Sequence, residues 1–435
     1  MAYRGDRGGR GRRGYGGPPS RGSFLSSADS GYRTRGVLNV DTAPNPANVK
    51  ILQSKHRSTP DALSSPTATS FAGSGHAPFA GPSGVPKIAA RPEKAKQENE
   101  EKLLSLLPPT MPPASVKLFD DNNCVNKSFL DFLTANNNNF TVVGIIGPQC
   151  TGKSTLASML SGNDPADLYG DYIFRPSPRD YVEKGGALTQ SLHIYITKSR
   201  MIVIDCQSMI SGHFLDVALR QSRRDGIKSA LRGVEDDTRR QLMLLFEVCH
   251  TIILGIDWFI DMGAIKEVLC AELALWKLKA GMEATARKIN FVVAQLRAKS
   301  ADFDPITVAE RAAIVSGIFA ESKLDVQGGL SMARLRPGCY TNVNYNVNYV
   351  VLAEIKPRPK LDANYVIEEP FGSLLIPFSD MIDNFRLEIL NLPKQPFTSS
   401  DITERDWLQN VVGGFWEKLA VSDYVGFLRK DHVHY

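Results

Sequence analysis

One octapeptide constrains this chain more than any other feature. It is Gly147-Pro148-Gln149-Cys150-Thr151-Gly152-Lys153-Ser154, a complete GxxxxGK[ST] spacing. An apolar run, Thr141–Ile146, leads in and residues 154–160 lead out as a helix, the strand–loop–helix context in which this spacing cradles phosphate. Gly147 and Gly152 let the backbone wrap with its N–H groups turned inward, and the start of the helix adds a favourable dipole. Lys153 is placed to reach β- and γ-phosphates and the Ser154 hydroxyl to ligate Mg²⁺. Gln149, Cys150, Thr151 and Thr155 complete the nucleotide-binding set, Cys150 through its amide.

Around this loop, short apolar runs alternate with longer amphipathic stretches, the pattern of an α/β domain with a mainly parallel sheet. Strands are expected at Thr141–Ile146, 192–197, Met201–Asp205, 251–257, 289–294 and 349–355. Only Lys198-Ser199-Arg200 separates the second and third, too short for a crossover helix, so those two form an antiparallel hairpin. Helices are expected at 154–160, 234–250, Met262–Lys279 and 380–390. In the third, Ile265, Leu269, Leu273 and Trp276 mark a core-facing stripe. The reading is a P-loop NTPase of G-domain type, residues 116–390, with an insertion at about 302–346. A helical extension, 391–435, starts at Ser400 or Asp401, with Trp407, Val411, Phe415 and Leu419 on one face.

A second carboxylate for the Mg²⁺ shell is expected at the end of a neighbouring strand, and Met201-Ile202-Val203-Ile204-Asp205 supplies it in Walker B form. Thr189 closes the polar segment between the loop and the hairpin, where a G domain places its metal-ligating switch threonine. The candidate metal set is therefore Ser154, Thr189 and Asp205. The glycine that senses the γ-phosphate in G domains is replaced by Ser208, which restricts the backbone there. The guanine-reading Asn/Thr-Lys-x-Asp is also missing. Residues 289–293 run into Ala294-Gln295-Leu296-Arg297, so Gln295 and Arg297 are the candidates for the base, and GTP/GDP and ATP both stay open. Met209 stands where a hydrolytic glutamine would be expected. Binding is expected to outweigh turnover, which leaves enzymatic activity undecided, and no catalytic residue is assigned.

Charge separates the N-terminal region from this body. Of the net +5, residues 1–36 carry +6 through eight arginines and two aspartates, and the remainder sums to −1. Residues 1–115 hold 14 of the 26 prolines and read as a disordered Arg/Gly- and Pro/Ser-rich tail, with two helical turns at 98–107. The tail could make weak, salt-sensitive RNA contacts with Tyr3, Tyr15 and Tyr32 stacking on bases. No run of about 18 apolar residues and no leader-type apolar region appear, so no membrane association and a cytoplasmic location are expected. The six scattered cysteines show no metal-binding spacing, which fits free thiols.

Taken together, the Pro/Gly-rich N-terminus, GPQCTGKST, IVIDCQ in place of DxxG, the degenerate VVAQLR and the C-terminal ITERDWLQNVVGGFWEKL resemble the SMG nine family of nonsense-mediated mRNA decay factors. The resemblance covers about 116–435. It implies a G-like domain that heterodimerises with the G-like domain of the related factor SMG eight, as dynamin-type GTPases pair. It implies further that the pair binds and restrains the phosphatidylinositol-3-kinase-like kinase SMG one. On this reading Gly147, Gly152, Lys153, Ser154 and Thr155 hold nucleotide without a need for hydrolysis. The alternatives are a dynamin-like GTPase with dimer-stimulated hydrolysis, and an RNA-binding scaffold with a vestigial loop.

Overall fold

The computed structural model describes residues 109–165, 171–209, 211–221, 226–280, 287–354 and 378–421. The chain divides into Met1–Lys87 and Ile88–Tyr435, and every described residue lies in the second unit. Of the tail expected over 1–115, residues 1–108 lie outside the described residues, with the helical turns at 98–107 and the RNA contacts; residues 109–115 are described, and Met111 is buried in the core.

Eight strands form one sheet among the described residues: β1 Val116–Lys117, β2 Thr141–Ile146, β3 His193–Ile196, β4 Met201–Asp205, β5 Thr251–Ile256, β6 Ile289–Ala298, β7 Leu324–Asp325 and β8 Tyr349–Ala353. The order is β1-β3-β4-β2-β5-β6-β7, with β8 also on β6. β2 pairs in parallel with β4 and β5, and β6 with β5, β7 and β8. The expected hairpin is present as antiparallel β3–β4, and β1 adds a second antiparallel pairing on β3. The fold is therefore α/β with a mostly parallel mixed sheet. β2, β4 and β5 are buried along their whole length, as strands covered on both faces must be.

Helices follow the strands. α1 Lys153–Ser161 leaves the glycine-rich loop, and α2 Arg179–Glu183, α3 Gly212–Gln221, α4 Gly226–Val248 and α5 Met262–Lys279 come next. The α5 face differs from the expected stripe. Ala264, Ile265, Val268, Ala271 and Leu275 are buried, whereas Leu273 is 59% exposed and Trp276 39%. The stripe is rotated, running from Ile265 through Val268 and Ala271 to Leu275, and two carboxylates lie along it. Glu267 and Glu272 lie inward because Arg239 of α4 pairs with Glu267 at 2.9 Å, and Ser322 Oγ and the Lys323 amide donate to Glu272 at 2.7 and 2.6 Å. The buried face is itself an apolar stripe of helical period, and the partners of Glu267 and Glu272 let these two carboxylates lie within it.

The segment 302–346 carries regular structure: α6 Pro305–Ile318, β7 and α7 Met332–Leu335. Asp304 caps α6 by accepting from the Thr307 amide at 2.9 Å, with Pro305 at the first helical position. α8 Phe378–Asn391 reaches back to α1: Arg386 donates to the carbonyls of Met159 (2.5 Å) and Leu160 (3.2 Å), satisfying the end of the helix behind the loop.

In the C-terminal extension the helix start is Thr403, not Ser400 or Asp401. Thr403 and Asp406 form a reciprocal capping box around α9 Glu404–Asp406. The next turn, Trp407–Gly413, is π-helical and leads into α10 Gly414–Val421. Its wider winding moves the inward position from Val411 to Val412, so Trp407, Leu408, Val412, Phe415 and Leu419 are the buried residues. Trp407 is fully buried, and its indole N–H donates to the Val248 carbonyl at 2.9 Å.

The extension is pinned at Glu404. This carboxylate accepts from the Thr134 amide (2.8 Å) and hydroxyl (3.0 Å), from Asn137 Nδ2 (2.7 Å) and from Arg200 Nε (2.7 Å), with Arg200 Nη2 in closer contact. Arg200 sits at the turn of the β3–β4 hairpin with φ of 60°. Glu404 is 0% exposed, and its hydrogen bonds hold its carboxyl below the usual range against the desolvation that raises it.

Candidate nucleotide site

β2 ends at Ile146 and the chain turns at Gly147, where φ is 144°. A Cβ on Gly147 would stand 2.2 Å from the Gly255 carbonyl oxygen of β5, so both sterics and backbone demand glycine. Cys150 (φ 66°) and Gly152 (φ 99°) are left-handed as well, which coils residues 147–152 into a tight loop before α1. Thr151 Oγ1 donates to the Pro148 carbonyl at 3.2 Å. The Met209 amide donates to the Gly147 carbonyl at 3.1 Å and ties the chain beyond β4 to the loop.

Lys153 folds back over this loop. Its ammonium donates to the Pro148 carbonyl at 2.7 Å and approaches Ser208 Oγ at 3.5 Å, and the residue is only 5% exposed. Burial lowers its pKa, opposed by the Asp205 carboxylate. Ser154, one residue on, points at the end of β4: its Oγ donates to Asp205 Oδ2 at 2.7 Å and lies 3.2 Å from Thr189 Oγ1. Thr189 Oγ1 donates to the same Asp205 oxygen at 3.5 Å. Ser154, Thr189 and Asp205, far apart in the chain, converge on one point.

Asp205 is 1% exposed, and its second oxygen, Oδ1, is buried with no hydrogen-bond partner. Desolvation raises its pKa to about 6, against the pull of Lys153, Ser154 and Thr189. A buried carboxylate oxygen left bare beside two hydroxyls is the donor set a hard divalent cation takes when phosphate and water complete its shell. Among the described residues no group of three His, Cys, Asp or Glu side chains gathers to hold a metal ion unaided. The residues present thus fit Mg²⁺ carried with a phosphate, and do not fit an all-protein metal cage.

Other site candidates distribute unevenly. Gln149 Nε2 donates to the Gly186 carbonyl at 2.9 Å and links the loop to the segment that carries Thr189. Thr155 is partly exposed in the first turn of α1. Arg297 takes φ of 55°, lies 3.4 Å from the Cys150 carbonyl and pairs with Glu354 at 3.3 Å, so it flanks the loop. Gln295 does not flank it. It is 2% exposed, and its carbonyl oxygen accepts from Arg311 (2.7 Å) and Tyr349 (2.8 Å) between β6 and α6. The residue beside the loop is Leu296, whose Cδ1 would lie 2.8 Å from a Cβ on Gly255 and 3.9 Å from one on Gly152. Gly255 within an apolar strand was the available sign of that close packing. Burial pushes the Cys150 thiol up, which gives it no thiolate character.

Fold and site together define an α/β protein of mostly parallel sheet, built around a glycine-rich strand–loop–helix with a serine, a threonine and an aspartate gathered at its mouth. No protein-family model matches the chain. It is 28% identical over 349 residues to nonsense-mediated mRNA decay factor SMG9 of Xenopus laevis, covering 73% of this chain and 68% of that protein. The same-named protein of Salmo salar matches at 28% with the same coverage, and that of Caenorhabditis elegans at 30% over 249 residues, 55% of this chain and 62% of its own. The chain is thus similar to nonsense-mediated mRNA decay factors named SMG9 over 55–73% of its length.

Proposed function

We propose that this protein is a nucleotide-binding regulatory subunit acting in nonsense-mediated mRNA decay. It heterodimerises through its G-like domain with SMG eight and controls the kinase SMG one, with nucleotide serving the assembly and not a fast hydrolytic cycle. The observation that carries the nucleotide reading is the bare, buried Asp205 Oδ1 beside Ser154 and Thr189, one residue from Lys153 and the left-handed loop. The relatives' name supports the place in mRNA decay.

In this reading the backbone N–H groups of Gly147 and of residues 149–152 and the Lys153 ammonium meet the phosphates, and Lys153 gives up its bond to the Pro148 carbonyl to do so. A divalent cation, when bound, would neutralise phosphate charge between Ser154, Thr189 and Asp205. Arg297 and Leu296 flank the base. The flank accepts either purine, since the Glu354 carboxylate beside it is engaged by Arg297. Slow or absent turnover follows from Met209 standing four residues after Asp205, 4% exposed and unable to orient a water.

Mass spectrometry of the nucleotide released from protein purified with Mg²⁺ tests this directly. Purine nucleotide near one per chain is expected, lost in Lys153→Ala together with partner binding. An empty site in the wild-type protein would sink the reading, and phosphate release strongly accelerated by the partner would replace it with a dynamin-like GTPase.

A further inference from the structure

At the opposite end of the sheet from the glycine-rich loop lies a cleft of about 230 Å³, lined by Phe246, Leu275, Trp276, Arg287, Lys323 and Leu324 among others. It opens where α4 and α5 end and β6 begins. Ile289 to Gln295 in β6 spans about 20 Å at ~3.3 Å per residue, so the cleft is remote from Lys153 and Asp205.

Its charges do not cancel. Arg287 spends one nitrogen on the end of α4: Nη2 donates to the carbonyls of Phe246 (3.1 Å), Glu247 (3.0 Å) and Cys249 (2.7 Å). Its other terminal nitrogen, Nη1, is buried and has no hydrogen-bond partner. The guanidinium also lies 4.6 Å from the Phe397 ring centre, and burial lowers its pKa, the direction expected of an incompletely compensated cation. The Lys323 ammonium stands 4.9 Å from the Trp276 ring centre. Both carboxylates of the cleft are committed, Glu247 to Lys279 at 2.5 Å and Glu272 to Ser322 and the Lys323 amide. Arg287 and Lys323 therefore line the cleft with donors to spare, and the Glu247 charge that also favours the Arg287 cation is shared with Lys279. Beside them lie a half-exposed indole and the apolar walls of Leu275, Ile289 and Leu324.

We propose that this cleft binds a small organic anion with a flat apolar body: the carboxylate or phosphate head bonds to Arg287 Nη1 and Lys323, and the body packs on Trp276. The charge balance selects the head, because a buried guanidinium N–H left unpaired is costly and an anion supplies what water supplies only weakly. The cleft volume and the indole select the body. The site does not depend on the nucleotide reading.

Saturation-transfer NMR on the full chain, with benzoate, phenyl phosphate and inorganic phosphate as probes, tests this. Saturation of the aromatic protons of benzoate, phenyl phosphate or both is expected, and the preferred probe identifies the head group. Binding of benzoate or phenyl phosphate should weaken about tenfold or more in Lys323→Gln and in Trp276→Ala, both at the protein surface, and persist in Lys153→Ala. Arg287→Met should abolish binding, with thermal melting run alongside because Arg287 also secures the end of α4. Two results would overturn the proposal: no saturation at millimolar probe, or binding in Lys323→Gln and Trp276→Ala as tight as in the wild-type protein. Inorganic phosphate competing as well as phenyl phosphate would overturn the role given to Trp276.

Discussion

The Ser154 hydroxyl donates to Asp205 Oδ2 at 2.7 Å, joining the first turn of the helix behind the loop to the last residue of the neighbouring strand. The bond satisfies one carboxylate oxygen and leaves the other buried and bare. Folding therefore makes this acid harder to ionise.

Asp205 is raised from 3.8 to about 6, so the native state binds the proton more tightly than the unfolded chain. Stability from this group falls as pH rises through that window and stays reduced above it. Asp205→Asn should stabilise the nucleotide-free protein at pH 7 by about 1–3 kcal/mol. The same change should weaken Mg²⁺-dependent nucleotide binding tenfold or more. Thermal melts with and without Mg²⁺-nucleotide measure both; a variant less stable than wild type when nucleotide-free would contradict the account.

His250 acts with the opposite sign in nearly the same window. It is 7% exposed, its Nδ1 accepts from the Val142 amide at 3.0 Å, and desolvation lowers its pKa from 6.5 to about 3. Its contribution is complete above pH 6.5 and is lost as pH falls toward 3, at about 1.4 kcal/mol per unit. The wild-type curve between pH 4 and 6 should look flatter than either residue alone would make it. His250→Asn, neutral throughout, should leave the Asp205 slope exposed, so that urea midpoints fall from pH 4 to 6. Midpoints that rise over that range would refute the assignment.

Glu404→Gln removes the charge that faces Arg200. It should cost about 3 kcal/mol, because a largely buried guanidinium loses its partner. Urea unfolding provides the check, and a loss under 1 kcal/mol would show that the carboxylate is dispensable.

Gly147→Ala meets two obstacles, a φ of 144° and a Cβ contact of 2.2 Å with backbone. Gly162→Ala meets one, a φ of 112° with open space around it. The second variant should lose about 1–2 kcal/mol and keep nucleotide, while the first should lose both stability and nucleotide. Parallel melts and nucleotide analysis separate them, and equal behaviour of the two would mean that the Gly255 contact relaxes freely.

Much of the fold was written in local pattern. The six longer strands and the four helices of the sheet domain follow apolar runs that need no distant partner to be recognised. What escaped depended on partners far along the chain. Glu267 and Glu272 can lie inward because Arg239, Ser322 and Lys323 meet them, and the α5 core face runs through Val268, Ala271 and Leu275 instead of Leu273 and Trp276. The π-helical turn at Trp407–Gly413 shifted a periodicity that assumed 3.6 residues per turn. The Asp304-Pro305 start of α6 carried a readable cap signal within a segment taken only as an insertion. Within the site, the loop and its glycines were legible by spacing. The burial of Gln295 was not, because it is created by Arg311 and Tyr349.

The β4 strand is short enough to behave as a stiff rod. Arg200, just before its first residue, is clasped by Glu404, and Asp205 is its last. Met201 is laddered by β2, and Ile202, Val203 and Ile204 are laddered on both sides, by β2 and by β3. The grip of the C-terminal helices and the carboxylate at the loop are thus mounted on one axle with no joint between them. A displacement imposed on either end has nowhere to dissipate along the way.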